Sequence, residues 1–349
     1  MKVGEVRTQL RPRAELVRDG LTSRQITRAI SSGRLRRVDH GWYVEQREWD
    51  AAFSEGRHLF RVVAAHERQR DTDAVFILVS AAVMHELPLY LLEPRRVHIG
   101  GSHTNGRVQK NAPTLARHEV AVHEDDVVVI DGIRCTGLAR TVADLIRSAS
   151  IEAGLAAMDA ALRRIAWNEN RHSYDIDAAE AFRSDVAARL PRGGRGVRLA
   201  RRVCELGDGR AQLPGESVSR LRLLAIGFAS PQLQVPVPAP HGGDYYVDFG
   251  LDDANAWGEF DGAGKYVDPE LRGAGVDIED TVLAEKMRED WIRGTTQRPV
   301  VRWGSAHIRT AGALAERLAS FHVFPGPRGL AVGFSNPHSS PEPTSSVRP

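Results

Sequence analysis

Apolar positions in the first 45 residues follow the spacing of short helices and then that of a hairpin. In SRQITRAISSG, residues 23–33, Ile26 and Ile30 lie four residues apart and so share one helical face. In LRRVDHGWYV, residues 35–44, apolar and basic residues alternate around a His40-Gly41 turn, which is typical of a two-stranded wing. This order predicts a winged helix-turn-helix over residues 1–70.

Residues 71–190 combine short apolar strands with longer helices. Strands are predicted in AVFILV, RRVHIGG and DDVVVIDGIRCT. The stretch from 137 to 165 has apolar residues at helical spacing, which predicts two packed helices. We therefore expect a mixed α/β middle domain, followed at 191–203 by a Gly- and Arg-rich boundary.

From residue 214 onward the pattern predicts an αβββαβ order, in the segments PGESVSRLRLLAIGF, QLQVPV, DYYVDFGL, NAWGEFD, TVLAEKMREDWIRG and PVVRW. We assign this third domain to residues 200–324. The remainder, 325–349, is rich in Pro, Ser and Gly and is predicted to be a disordered tail. The whole chain is thus expected to be a multidomain α/β protein.

The middle of the third domain reads as a β-hairpin. If 252–255 form its turn, opposed residue numbers sum to 507, and Asp248 then faces Glu259. The same face carries two further pairs, Tyr246 with Asp261 and Gly250 with Trp257. The other face carries Val247 with Phe260 and Phe249 with Gly258. The hairpin is therefore predicted to have one acidic face and one apolar face.

Composition narrows the class of protein. The chain is 42% hydrophobic and 26% charged, and no apolar run approaches the ~18 residues of a membrane span. The charged start does not resemble a signal peptide, so we expect a cytoplasmic protein without membrane partners. Cys135 and Cys204 are too few for a thiolate zinc site and are interpreted as structural.

The net charge of +2 hides a strong segregation along the chain. Residues 1–44 hold 10 Lys/Arg against 4 Asp/Glu, a surplus of +6 that suits contact with nucleic-acid phosphates. Residues 240–290 hold 4 Lys/Arg against 14 Asp/Glu, a deficit of 10. Acidic clustering of this kind favours a cation site.

Opposed carboxylates on neighbouring strands repel each other, so the predicted acidic face requires a compensating charge. Mg²⁺ or Mn²⁺ would supply it, with Asp248 and Glu259 as ligands and Asp261 as a third acid on the same face. Such an ion can activate water and stabilise charge on a phosphate. The pattern therefore indicates phosphodiester hydrolysis, whereas a solvated sheet face without chemistry is the plainer alternative.

Together, Glu216 on a leading helix, Asp248, the motif Glu259-Phe260-Asp261-Gly262 and the following Lys265 resemble the PD-(D/E)XK nuclease superfamily, especially its very-short-patch-repair-like branch. The resemblance covers about 200–322. It implies a restriction-endonuclease-like core with Glu216, Asp248 and Glu259 as catalytic metal ligands. Asp261 stands where the family has its lysine, and that role would pass to Lys265 or Lys286.

The first two segments are similar to AbiEi-type antitoxins and related regulators, through GRLRRVDHGWYV, TGLARTVADL and AAMDAALRR. That resemblance implies a repressor with a cognate nucleotidyltransferase-like toxin. It also implies phosphate contacts from Arg34, Arg36 and Arg37, and base contacts from Arg24, Gln25 or Arg28 of the preceding helix. A simple solvated basic face is the alternative interpretation of these residues.

Two functions follow. The leading hypothesis is an enzyme whose winged helix binds double-stranded DNA and whose C-terminal domain cleaves it with Mg²⁺. The alternative is a transcriptional regulator or antitoxin whose nuclease-like domain is inactive, which Asp261 at the lysine position favours. RNA as a substrate is a weaker third hypothesis, because a winged helix fits a major groove better than a single strand.

Overall fold

The computed structural model describes residues 1–68, 74–101, 113–262 and 278–326, with side chains in the last range from 283 onward. Lys265 and the predicted tail from 327 onward lie outside these ranges. The protein is mixed α/β and divides into two compact units, Met1–Ser217 and Val218–Pro349.

The first unit opens with short helices around a small antiparallel sheet of order β1-β3-β2. Its elements are α1 (Val3–Gln9), β1 (Arg11–Pro12), α2 (Arg13–Arg18), α3 (Ser23–Ser31), β2 (Leu35–Asp39) and β3 (Trp42–Glu45). Thr22 caps α3 by accepting a hydrogen bond from the Gln25 backbone N–H, so the helix begins at Ser23, as predicted. The predicted hairpin is β2–β3, with Gly41 at φ 77° in its turn.

The rest of the first unit surrounds a five-stranded mixed sheet of order β6-β5-β4-β8-β7. The strands are β4 (Val75–Phe76), β5 (Val97–Gly100), β6 (Leu115–His118), β7 (Val127–Ile130) and β8 (Ile133–Thr136). The helices are α4 (Gln46–Ala51), α5 (Ser54–Arg68), α6 (Val79–Met84), α7 (Leu138–Ser148), α8 (Ile151–Ala166), α9 (Ile176–Ala188) and α10 (Val197–Leu206). A separate two-stranded ribbon pairs β9 (Trp167–Asn168) with β10 (Ser173–Tyr174).

The second unit contains a four-stranded sheet of order β11-β12-β13-β14. Its elements follow α11 (Pro214–Ile226), which crosses the unit boundary, as β11 (Gln232–Pro238), β12 (Asp244–Leu251), β13 (Ala256–Asp261), α12 (Ile278–Thr296), β14 (Val300–Gly304) and α13 (Ala311–Ala319). The first three strands are antiparallel, and β14 runs parallel to β13. The element order matches the predicted helix-strand-strand-strand-helix-strand pattern.

The predicted turn and register of the β12–β13 hairpin are confirmed where the strands pair. A short 3-10 helix, Asp252–Ala254, and left-handed Asn255 form the turn. The Cα partners are Phe249 with Gly258, Gly250 with Trp257, and Leu251 with Ala256, so every pair sums to 507. The ladder ends at Phe249, one residue short of the predicted Asp248–Glu259 pair.

The expectation that Val247 and Phe249 share a face of β12 is wrong. Val247 packs in one cluster with Trp257 of β13. Phe249 lies over Gly258, where an added Cβ would meet both Phe249 and the ring of Trp303. Trp257 and Gly258 are consecutive residues of β13, so they point to opposite faces of the sheet. Val247, which packs with Trp257, and Phe249, which lies over Gly258, are therefore on opposite sides.

The alternation breaks at Asp248 and at the residue across from it on β11. Gln234, which would pair with Asp248, has φ 51° and interrupts the ladder between Leu233 and Val235. Such a local irregularity turns a strand and re-aims its side chains. The Asp248 carboxylate therefore lies where β12 stops pairing with β13. Glu259 lies on the same face of β13 as Trp257, and this face packs against the helix α12.

Both cysteines are buried thiols, as expected of structural residues. Burial raises the pKa of Cys135 to about 12 and that of Cys204 to about 11. Over the residues described, no helix combines the length and the apolarity needed to cross a bilayer.

Candidate nucleic-acid interface and acidic face

Helix α3 separates an apolar side from a basic side. Ile26 and Ala29 are buried, and Ile26 packs in a small core with Leu16 and Tyr43. Arg24 and Arg28, the predicted base-contacting residues, are exposed on the other side. Within the described ranges neither makes an ion pair, so both guanidinium groups are available to an anionic ligand.

Gln25 is exposed as well, but its side chain is already engaged. Its Oε1 accepts hydrogen bonds from the backbone N–H of Thr22, at 2.8 Å, and from the Thr22 hydroxyl, at 2.8 Å. This reciprocal capping box fixes the start of α3. Of the side chains predicted to contact bases, Gln25 therefore has a structural role that Arg24 and Arg28 do not have.

The predicted phosphate-contacting residues, Arg34, Arg36 and Arg37, lie at the start of the β2–β3 hairpin and are all exposed. Arg37 donates to the backbone oxygen of Asp39, at 3.4 Å, and contacts His40 Nδ1 at 3.0 Å. The guanidinium of Arg36 lies 5.2 Å from the ring centroid of Trp49. The basic hairpin and the basic side of α3 belong to the same small sheet-and-helix assembly.

Asp248, a predicted metal ligand, has a hydrogen-bond donor on each oxygen. Oδ1 accepts from Gln234 Nε2 at 3.2 Å, and Oδ2 accepts from the backbone N–H of Phe260 at 2.8 Å. The second bond takes the place of the backbone pairing that the register predicts here. Asp248 thus holds the splayed end of β12 against β13.

Glu259 is only 5% exposed and contacts two arginines. Its Oε1 accepts from Arg288 of α12 at 2.8 Å, and its Oε2 lies 3.3 Å from Arg302 of β14. Burial raises the pKa of Glu259, the two arginines oppose that shift, and the negative charge of Asp248 adds to it. The negative charge of Asp248 therefore acts on Glu259, although the two residues are not paired in the ladder.

Asp261, also a predicted ligand, forms a two-point ion pair with Arg302. The Asp261 oxygens lie 2.7 Å from Arg302 Nη2 and 3.1 Å from Arg302 Nε. Arg302 also donates to Glu285 at 2.7 Å. Its pKa is raised, first by the hydrogen bond to Asp261, in spite of burial, which acts in the opposite direction.

Arg288 completes this cluster. It donates to the backbone oxygen of Tyr246 at 2.6 Å and to Glu285 at 3.1 Å, besides Glu259. Burial lowers the pKa of Arg288, but its bond to Glu259 and the surrounding carboxylates outweigh burial and leave the pKa raised. We call Asp248, Glu259, Asp261, Glu285, Arg288 and Arg302 the acidic-face network.

The two arginines are the functional residues that sequence reasoning missed. Helical spacing alone pairs Arg288 with Glu285, one turn away, and gives no sign of its contact with Glu259. Arg302 faces Glu259 only because β14 pairs parallel with β13 in the register Glu259 with Arg302. The one signal available was the alternation of PVVRW, which places Arg302 beside a buried tryptophan.

The remaining residues that the nuclease resemblance names are Glu216, Lys286 and Lys265. Glu216 lies in the first unit, 2% exposed, where its Oε2 accepts from the backbone N–H of Gln212 at 2.8 Å. Lys286 is exposed on α12, and Lys265 lies outside the described residues. The structure therefore brings together Asp248, Glu259 and Asp261.

The Mg²⁺ or Mn²⁺ ion that the nuclease resemblance implies would need carboxylate oxygens free to coordinate it. Both oxygens of Asp248 and both of Glu259 already have donors, two of which are cationic. Across 1–68, 74–101, 113–262 and 278–326, no three His, Cys, Asp or Glu side chains are grouped to hold a metal. In this arrangement the carboxylates do not fit a divalent ion, because Arg288 and Arg302 already supply the compensating positive charge.

No protein-family model matches the chain. It is 26% identical over 250 residues to an uncharacterized protein of Mycobacterium tuberculosis strain CDC 1551 / Oshkosh, covering 69% of this chain and 79% of that protein. An uncharacterized protein of strain H37Rv matches with the same identity and coverage. These likenesses extend over most of both chains but carry no described activity.

Proposed function

We propose that this protein is a double-stranded DNA-binding regulator whose N-terminal segment is a winged helix. The observation that carries the proposal is the set of exposed arginines on one side of α3 and along the β2–β3 hairpin, which form no ion pairs with the residues that the structure describes. In the proposed complex α3 enters the major groove, where Arg24 and Arg28 reach base edges. The β2–β3 hairpin acts as the wing, and Arg34, Arg36 and Arg37 contact the phosphate backbone.

The packing of α3 supports this orientation. Because Ile26 and Ala29 are buried beneath the helix, its arginines must point away from the core. The capping box at Thr22 and Gln25 orders the N-terminal turn, the part of a recognition helix that contacts bases. As a regulator similar to AbiEi-type antitoxins, the chain would have a nucleotidyltransferase-like toxin as its protein partner.

For the second unit we propose a restriction-endonuclease-like core that serves in binding or assembly and not in cleavage. The two-point pair between Asp261 and Arg302 supports this proposal, because it occupies the position where the superfamily has its lysine. The donors on Asp248 and Glu259 support it too. The inactive-domain alternative is thus preferred to the nuclease.

DNA binding is tested by fluorescence anisotropy with duplexes selected from a random-sequence library. Arg24→Ala and Arg28→Ala should each weaken binding to the selected duplex by about 1–3 kcal/mol, or about 5- to 150-fold. Arg202→Ala is the matched control, because Arg202 is ion-paired with Glu205 on α10. Selection that yields no duplex bound above background would refute the proposal.

Metal-dependent phosphodiester cleavage is the second candidate function. It is favoured by the charge of the acidic-face network, in which four carboxylates surround two guanidinium groups and leave a net negative charge. A cation would have to displace Arg288 and Arg302 from Glu259. Incubation of labelled single- and double-stranded DNA with Mg²⁺ or Mn²⁺ tests this function, with Asp248→Ala and Glu259→Ala as controls. Cleavage by the wild type alone would establish the enzyme and overturn the inactive-domain proposal.

A further inference from the structure

A cluster of arginines surrounds Trp49 at the edge of the β2–β3 hairpin. The guanidinium carbons of Arg61, Arg36 and Arg57 lie 5.0, 5.2 and 6.0 Å from the Trp49 ring centroid. Arg36 comes from β2, and the other two come from α5. Trp49 is itself buried, so its ring is a fixed platform against which side chains from different elements gather.

The cluster carries positive charge without a matching acid. The pKa of Arg61 is lowered, first by burial and then by the positive charges of Arg36, Arg57 and Arg95. In the part of the chain that the structure describes, none of these arginines forms an ion pair with a carboxylate. Arg57 donates instead to the backbone oxygens of Trp49 and Asp50, and Arg61 donates to that of Pro94.

Like charges held this close destabilise the free protein, and an anion seated among them removes that cost. Stacking on an aromatic ring leaves the in-plane N–H groups of a guanidinium free to form two-point bonds with phosphate oxygens. Arg57 and Arg61 each use only part of their donors on backbone oxygens. The exposed Arg36 and Arg95 lie on the solvent side, where a ligand would arrive.

We propose that Arg36, Arg57, Arg61 and Arg95 form a second phosphate-binding site, which holds the backbone of duplex DNA beside the wing. The inference rests on the proposed DNA binding and extends it from α3 and the hairpin to α5 and to Arg95. Duplex DNA fits better than an acidic peptide because Arg36 belongs to the hairpin that carries Arg34 and Arg37. A duplex presents a phosphate charge every ~1.7 Å of its axis, which matches several adjacent guanidinium groups.

The test measures the affinity of the full chain for mixed-sequence duplex DNA over a series of KCl concentrations. Arg95→Gln is the main variant, because the described structure gives that side chain no hydrogen bond to lose. The double variant Arg61→Gln/Arg95→Gln adds a half-buried member, and glutamine keeps a donor for the Pro94 oxygen. Arg95→Lys retains the charge, and Arg202→Gln is the control outside the site.

We expect Arg95→Gln to lower the slope of log affinity against log salt by about 1, and the double variant by about 2. Arg95→Lys and Arg202→Gln should both keep the slope of the wild type. An unchanged slope in Arg95→Gln and the double variant, while Arg24→Ala still weakens binding, would overturn this site and leave the DNA-binding proposal intact. Wild-type protein that binds no duplex at any salt concentration would overturn both.

Discussion

Arginines occur in two opposite electrostatic settings in this protein. Around the β2–β3 hairpin, Arg36 and Arg95 are exposed and have no carboxylate partner among the described residues. In the acidic-face network, Arg288 and Arg302 are hydrogen-bonded to Glu259, Asp261 and Glu285. The neighbouring carboxylates, and not the arginine itself, therefore decide whether a guanidinium stabilises the fold or remains available to a ligand.

The physical reason is the cost of desolvation. Where a carboxylate is buried, as Glu259 is, removing its cationic partner leaves an uncompensated charge in a poorly solvated site. Where arginines gather without acids, the cost is mutual repulsion, and a bound anion relieves it. Substitutions in the two settings should therefore have different consequences.

Arg302→Ala should destabilise the protein most. The substitution leaves Asp261 without its two-point partner and leaves Glu259 with Arg288 alone, so we expect a loss of about 3 kcal/mol in the free energy of unfolding. Urea denaturation followed by tryptophan fluorescence measures it. The control is Arg293→Ala, which breaks the more exposed pair with Glu289 and should cost less than about 1 kcal/mol. Equal losses in the two variants would show that the network does not stabilise the fold.

Arg302→Lys should have a smaller effect of the same sign. Lysine keeps the positive charge but cannot form the planar two-point bond with Asp261. We expect the free energy of unfolding to fall by about 1–2 kcal/mol, again by urea denaturation. A lysine variant as stable as the wild type would mean that only charge, and not hydrogen-bond geometry, matters at this position.

Arg34→Gln should change DNA binding without changing stability. Because Arg34 is exposed and forms no ion pair within the described residues, its loss should lower the salt-dependence slope by about 1 and leave the urea midpoint unchanged. Arg293→Gln is the counterpart in the second unit, where the arginine already has Glu289 as its partner. If Arg293→Gln lowered the slope as much as Arg34→Gln, the contrast between the two regions would fail.

Glu259→Gln should alter how stability depends on pH. The pKa of Glu259 is raised above its ordinary value of 4.5, chiefly by burial. The folded state therefore binds this proton more tightly than the unfolded state. The resulting stabilisation is fully present below pH 4.5 and is lost as the pH rises through the folded-state pKa. The unfolding free energy of the wild type minus that of Glu259→Gln should fall over this window, and a pH-independent difference would contradict the prediction.

Much of the second unit follows from local sequence. Asp252 to Asn255 include residue types that favour turns. Once the turn is placed, the register of Phe249 with Gly258 follows by counting. The order of helices and strands likewise follows from the spacing of apolar residues. The exposed side of α3 was predictable for the same reason, because Ile26 and Ile30 fix its inward face.

The strand irregularity was not predictable by counting. Strict alternation puts Val247 and Phe249 on one face, whereas the left-handed conformation of Gln234 interrupts the neighbouring strand and separates them. Nothing in the residue types of QLQVPV indicates a positive φ at Gln234. The alternation rule fails here because it treats each strand alone, while the break involves two paired strands.

The amino-acid order was enough to locate many of the helices and strands and the turn of the hairpin, and to show that acids concentrate in one region and bases in another. These properties depend on residues close together in the chain, which the amino-acid sequence specifies directly. Folding was needed to bring Arg302 opposite Glu259 and to gather three arginines on Trp49. Those contacts join residues of different helices and strands, so strand pairing and helix packing decided which charges are compensated.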